Sequence, residues 1–321
     1  MSASETKTSQ TPGASVADPV RGIMLKVSSV FFFVAMATML KASEDVPAGE
    51  LVFFRSFFAM LPVLGYLAWK GKLGNAFRTK RPMGHFLRGL AGVTSMGLGF
   101  FALTRLPLPE ATAISYATPL LIVILSAVLL SERVHLFRWT AVIVGLVGVV
   151  IVLWPRLTVF TGGGPLDSAE AIGALAAVTG ACISAFALLA VRTLVQTERT
   201  ETIVTYFFVN ATILSLFTIP FGWVWPTTEQ AILLISAGVS GGIGQLLMTS
   251  SYRYADMSVI APFEYTSLIL TIILGFLVFG DVPTLTMVLG ALIIVGSGIA
   301  VILRERWLGL DRAKTKEASS P

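Results

Sequence analysis

Ten stretches of this chain contain no Asp, Glu, Lys or Arg: residues 27–40, 56–69, 89–104, 111–131, 139–155, 171–191, 202–228, 230–252, 265–280 and 282–303. A helix needs about 20 mostly apolar residues to cross the hydrocarbon of a bilayer, so the shorter stretches must borrow flanking residues. Inside hydrocarbon every backbone N–H and C=O has to be satisfied within the segment, which makes continuous apolar runs of this length helical. A transmembrane barrel would instead show segments of about ten residues alternating polar and apolar positions, and these runs do not alternate. Composition agrees. Charged residues make up 13% of the chain, hydrophobic residues 55%, and mean hydropathy is +0.82, whereas a soluble domain carries about 25% charged residues. The expected fold is an all-α integral membrane bundle of ten transmembrane helices.

The first 20 residues are polar, mixed in charge and rich in Ser, Thr and Pro. They lack the basic stretch and apolar core that open a signal peptide, and read as a disordered cytoplasmic tail. Orientation follows from the positive charges, because loops rich in Lys and Arg stay on the cytoplasmic side. With the N-terminus inside, 17 of the 23 basic residues fall in inner segments, and the outer loops hold only Lys41, Arg105 and Arg156. The remaining three, Lys26, Arg55 and Arg88, lie in or at the ends of spans. Both termini are therefore expected in the cytoplasm. Topology also explains the net charge of +5 and pI near 9.5, which removes the reason to expect a nucleic-acid partner.

The chain repeats itself. A shift of 148 residues aligns Arg105 with Arg253, Thr118 with Thr266, Gly148 with Gly296 and Arg156 with Arg304, and a shift of 151 aligns Gly22 with Gly173 and Phe57 with Phe208. Matches of Arg, Thr and Gly are informative in so apolar a composition. The reading is two copies of a five-helix unit, residues 21–156 and 169–304, followed by a cytoplasmic tail at 305–321. Five crossings are an odd number, so the second copy enters from the opposite side and the two are inverted. Inverted repeats around a site near the midplane are a recurring plan of secondary transporters, in which one repeat rocks against the other.

Three segments carry a family resemblance: "FFRSFFAMLPV" (53–63), "EATAISYATPLLIVILSAVLLSERV" (110–134) and "GALIIVGSGIAVILRER" (290–306). They resemble the repeat motifs of the EamA family in the drug/metabolite transporter superfamily. The matching features are Arg55 in the second span, Pro119 within the fourth, and Ser131 and Glu132 closing that span. Gly280 and Asp281 stand in the equivalent place of the second copy, with Asp for the usual Glu. The resemblance implies a ten-helix carrier with a central cavity, moving small metabolites without a cofactor. Within the family the chain is most similar to bacterial riboflavin importers, which makes riboflavin uptake the leading substrate expectation. Export of amino acids or related metabolites, and uptake of S-adenosylmethionine, stand as alternatives.

Candidate binding residues come from polar groups stranded in apolar runs. Glu264 lies seven residues into the ninth span, about 10 Å deep at 1.5 Å per residue. An ionised group there costs at least ~2.5 kcal/mol if it faces lipid, so it must face the bundle interior. Ser267 and Thr271 share its helix face, a stripe that suggests a wetted wall. Tyr116 is its counterpart across the repeat, beside Pro119, which frees a backbone carbonyl in the same span. Tyr206 and Asn210 fall on one face of the seventh span with Thr202. Gln245 lies in the eighth span after a glycine run, "SGGIG", that suits close helix approach. Arg55 is placed near the outer interface, where it either snorkels or pairs an acidic group or a substrate anion, and the resemblance implies a conformational or structural role for it. The expected cavity is walled by the third, fourth, eighth and ninth spans together with the second and seventh.

Other chemistry finds little support in the residues. The single cysteine, Cys182, excludes an intrachain disulfide framework, and no paired-cysteine metal motif occurs. His85 and His135 are expected as loop residues without the convergent partners that a metal site or catalytic base requires, and Lys26 and Arg88 as interfacial anchors. No G-x-x-x-x-G-K-[ST] phosphate loop is present. An integral-membrane enzyme would gather His, Asp, Glu or Cys at one face, whereas this chain disperses its acids, so an enzyme is the remote alternative. The expected partners are a small-molecule substrate and the lipid bilayer, and a homodimer is compatible with this reading.

Overall fold

The computed structural model describes residues 18–129, 136–161, 169–194, 197–251, 254–255 and 257–318. Most of the N-terminal tail lies outside them, as do Ser131, Glu132, Arg133 and His135. Helices are the regular elements among the described residues, and ten of them account for the bundle. The first five are Pro19–Ala42, Ala48–Trp69, Pro82–Leu103, Leu108–Leu129 and Leu136–Thr161. The second five are Ala169–Leu194, Thr200–Leu216, Thr228–Ser251, Ala261–Phe279 and Leu285–Ala318. Among the described residues nine are long and apolar enough to cross a membrane. The seventh has only 17 residues and lies along the second and third.

Local chemistry sets the ends. Asp18 caps the first span by accepting the Arg21 N–H at 3.1 Å, with Pro19 at the first helical position, where its missing N–H costs nothing. The helix thus starts two residues before the end of the expected tail. The tenth span runs on to Ala318, so the expected C-terminal tail continues that helix. Trp69, Trp154, Trp225 and Trp307 are all exposed near span ends, as indole rings are at the two membrane interfaces.

Which spans touch is the informative part of the fold. The first packs on the eighth, the third on the sixth, the fifth on the tenth, and the second on the seventh. Exchanging the first five spans with the last five maps this pattern onto itself. Small residues set the closest approaches. A Cβ on Gly290 would lie 2.6 Å from the carbonyl oxygen of Gly148, so the fifth and tenth spans meet backbone to backbone. The "SGGIG" run does the same for the eighth span, since a Cβ on Gly242 would stand 2.6 Å from the Ala59 carbonyl oxygen of the second span.

The fourth and ninth spans, counterparts in the repeat, are both broken. The fourth is helical over Leu108–Ser115 and again over Ala117–Leu129, with the junction at Tyr116. Pro119 lacks the N–H that would have bonded the Ser115 carbonyl. The ninth opens as a 3-10 turn over Ala261–Tyr265, continues as α-helix over Thr266–Leu274, and widens to a π-turn over Gly275–Phe279 before Gly280 at φ 69°. That left-handed conformation suits glycine.

Candidate functional site

The breaks bring the repeat counterparts together. The Tyr116 hydroxyl lies against the Ser267 hydroxyl and 3.5 Å from the Glu264 carbonyl oxygen, and the Tyr116 ring meets Tyr265 edge-on at 5.0 Å. Residues related by a two-fold exchange touch only near its axis, so this junction lies close to it. The Glu264 carboxylate turns instead to the first span, where it pairs with Lys26. The two ends of that ion pair differ. The Lys26 side chain is 3% exposed and that of Glu264 47%.

Lys26 is therefore no interfacial anchor, as its position near the end of the first span had suggested. The Ser267 and Thr271 hydroxyls donate within their own helix, to the carbonyls of Glu264 and Leu268. The polar stripe expected as a wetted wall is thus consumed by the local bonding that Ser and Thr make in helices.

A cavity of about 300 Å³ opens between the third, fourth, sixth and seventh spans. Its walls include Gly92, Ser95 and Gly99, then Ser115 and Thr118, then Ala177, Gly180, Ala181 and Ser184, with Arg88 and Phe207 completing the lining. The sixth span was not among the expected walls, and the second, eighth and ninth do not line this cavity. A signal was present in the sequence. Ala177, Gly180, Ala181, Ser184 and Ala187 recur every three or four residues, a small-residue face that leaves space along one side of a helix.

Arg88 and Arg55 converge on one ring. Their guanidinium carbons lie 3.9 and 5.9 Å from the Phe207 centroid, and Arg55 is also 5.1 Å from that of Phe208. Gly92 makes the room, because a Cβ there would lie 2.9 Å from the Phe207 ring. Arg55 is buried at 7% exposure and points inward between the second, seventh and eighth spans, so it does not snorkel to an interface. Arg88 is no interfacial anchor, since it lines the cavity. The Nε and Nη1 atoms of both arginines are buried without a hydrogen-bond partner.

The other expected residues fall elsewhere. Asn210 donates from Nδ2 to the His85 carbonyl oxygen at 3.0 Å, and Tyr206 stacks on the His85 ring at 4.7 Å while its hydroxyl donates to the Phe77 carbonyl at 3.2 Å. The shared face of Tyr206 and Asn210 is real, and it seals the seventh span to the third. His85 is correspondingly not a loop residue. It sits in the third span at 1% exposure, with Nε2 3.9 Å from a carboxylate oxygen of Glu198. Gln245 lines a separate small cavity with Tyr66, Glu201 and Thr249. Among the described residues no cluster of His, Cys, Asp or Glu is arranged to hold a metal ion.

The described residues thus form a multi-pass helical bundle with paired broken spans beside an internal cavity lined by small apolar residues, hydroxyls and the Arg88 cation. The profile of the EamA-like transporter family matches residues 20–154 and again 171–304, and the chain belongs to that family. It is 28% identical over 260 residues to the S-adenosylmethionine uptake transporter of Rickettsia prowazekii, covering 80% of this chain and 83% of that one. It is 27% identical over 285 residues to a pseudopaline exporter of Pseudomonas aeruginosa, covering 87% and 95%. To the riboflavin transporter of Vibrio cholerae it is 28% identical over 282 residues, covering 86% and 91%. A crystal structure at 23% identity superposes with a TM-score of 0.64 over 89% of this chain and 97% of the other, which supports the fold.

Proposed function

We propose that this protein is a secondary transporter that moves a small metabolite across the bacterial inner membrane by alternating access, with both termini in the cytoplasm. The observation that carries the reading is the internal cavity at the broken fourth span, between helices that belong to the two different copies. Discontinuous spans at a repeat interface are where transporters of this plan hold their substrates. Rocking of one five-helix unit against the other would move the third span along the sixth and reshape the cavity on either side. The Tyr116–Ser267 contact and the Lys26–Glu264 pair would then be the seams that part and re-form.

Riboflavin uptake is the substrate reading drawn from the sequence, and relatives at 28% identity in Vibrio cholerae and Rhizobium johnstonii carry that name. S-adenosylmethionine uptake and export of amino acids or similar metabolites complete the panel. One feature of the lining bears on the choice. Among the described residues it contains the Arg88 cation and no carboxylate to face a sulfonium or ammonium group.

The residues proposed for substrate contact are Arg55, Tyr116 and Glu264, with Arg88 now added, while Tyr206 and Asn210 are engaged around His85 and Gln245 lines the separate small cavity. Complementation of a riboflavin-auxotrophic bacterium at limiting riboflavin tests the leading solute, with labelled amino acids and S-adenosylmethionine in parallel. Uptake of any of them into proteoliposomes supports the carrier, and a folded protein that moves none counts against it. Reporter fusions at each terminus test the orientation, and mass measurement in detergent tests for a homodimer.

A further inference from the structure

We infer that Arg88, reinforced by Arg55, forms an anion site in the cavity, and that the transported solute carries a carboxylate or phosphate group docking there. This rests on the carrier reading above and narrows its substrate to an anionic metabolite. The observations are independent of the repeat and of the relatives. Arg88 lines the cavity, Arg55 stands on the same Phe207 ring, and each has two buried guanidinium nitrogens without a partner. Among the described residues neither is ion-paired to a carboxylate. Ion pairs found among the described residues join Lys26 to Glu264, Lys72 to Glu201 and His85 to Glu198, and none involves Arg55 or Arg88.

Two like charges placed together in a desolvated bundle are unfavourable, and removing a guanidinium from water without a counter-charge is among the costlier things a fold can do. Cation–π contact with Phe207 offsets only part of this. The missing component is a negative charge. A guanidinium presents planar, forked donors that match carboxylate and phosphate oxygens two at a time, through its Nε–Nη2 edge or its Nη1–Nη2 edge, and the unpartnered Nε and Nη1 of Arg88 leave a donor free on each. Phe207 fixes the plane of that fork at 3.9 Å, while Gly92 keeps the approach open. The apolar and hydroxyl-bearing remainder of the wall, Ser95, Ser115, Thr118 and Ser184 among small residues, would take the uncharged body of the solute. A neutral solute such as riboflavin would leave both cations uncompensated.

The test compares solutes that differ in charge on the purified, full-length protein. Thermal midpoints in detergent are recorded with riboflavin, riboflavin 5′-phosphate, succinate, inorganic phosphate and S-adenosylmethionine, and the same solutes are then tested for uptake or counterflow in proteoliposomes. Stabilisation by riboflavin 5′-phosphate or inorganic phosphate identifies a phosphate, and stabilisation by succinate a carboxylate, with no response to neutral riboflavin in either case and a weaker one to S-adenosylmethionine, whose carboxylate is accompanied by two cationic groups. Arg88→Gln should raise the half-saturating concentration of the effective anion about ten- to hundredfold, the worth of one charge-assisted bond, and Arg55→Gln should do so to a smaller degree.

Arg88→Lys, which keeps the charge and loses the fork, should fall between. The unliganded midpoint separates a binding role from a structural one. Removing an uncompensated cation leaves it unchanged or raises it, and a clear drop in both Gln variants would overturn the proposal. It would also be overturned if transport were confined to neutral or cationic solutes and indifferent to both arginines, a result that leaves the carrier reading standing. If none of the solutes moved or stabilised a folded, monodisperse protein, the anion site and the carrier reading would fail together.

Discussion

Replacing Glu264 with Gln should destabilise the bundle more than replacing its partner Lys26 with Met. The asymmetry comes from exposure. The Lys26 side chain is 3% exposed and that of Glu264 47%. Glu264→Gln leaves an ammonium buried without its counter-charge. Breaking a buried pair in this way costs about 3–5 kcal/mol, reduced to about 2–3 here because the Gln amide oxygen still accepts a hydrogen bond and the site is half open. Lys26→Met removes the buried charge and fills the space with an apolar chain, while the carboxylate keeps its access to water, so the expected cost is below about 1 kcal/mol. At roughly 2–4 °C per kcal/mol for a chain of this size, the midpoint should fall by about 5–10 °C for Glu264→Gln and by no more than about 3 °C for Lys26→Met. The double variant should match Lys26→Met, a non-additivity that a double-mutant cycle measures directly. Thermal unfolding of the purified protein in detergent gives all four midpoints. If Lys26→Met is as damaging as Glu264→Gln, the buried end of the pair has been misassigned and the reasoning fails.

Further expectations can be checked with the same preparation. Gly290→Ala places a methyl 2.6 Å from the Gly148 carbonyl oxygen. Backbone cannot step aside there, so the fifth and tenth spans should part at a cost of about 1–3 kcal/mol, read as a lowered midpoint. Tyr116→Phe removes the hydroxyl from Ser267 and should cost about 0.5–1.5 kcal/mol in stability, yet lower transport by a larger factor if the junction of the broken spans moves during the cycle. Equal losses would make Tyr116 a packing residue.

The loop between the sixth and seventh spans offers a pH test. Burial pushes the Glu198 carboxyl up, but the Lys80 N–H at 2.8 Å, the Thr79 hydroxyl at 3.0 Å and the nearby His85 outweigh it and hold it below the usual carboxylate range. A depressed folded value means the stabilisation is fully present above the unfolded value of about 4.3 and is lost as pH falls through the folded one. The midpoint difference between the wild type and Glu198→Gln should therefore be constant near neutrality and shrink below about pH 4. A difference that grows on acidification would reverse the sign and refute the assignment.

The sequence by itself determined the class, the number of spans and the family. Charge-free runs long enough to cross hydrocarbon admit only helices, and this is a property of segments that no partner needs to complete. It also required Glu264 to avoid lipid, and the spacing of Tyr206 and Asn210 placed both on one face, where the structure finds them around His85. What the sequence withheld was the identity of partners. In a soluble protein an apolar stripe marks the buried side of a helix, but lipid is as apolar as a protein core, so the sides of these helices are hard to tell apart in sequence.

Only the packed bundle revealed that Lys26 meets a carboxylate 238 residues away. It likewise replaced the second, eighth and ninth spans with the sixth as a cavity wall. Arg55 and Arg88 looked like residues held at opposite interfaces because each was counted from the end of its own helix. They reach the same ring because Gly92 in the third span leaves room for Phe207 and Gly241 in the eighth leaves room beside the Arg55 Nε, an arrangement set by backbone approach across the fold and carried by no single segment.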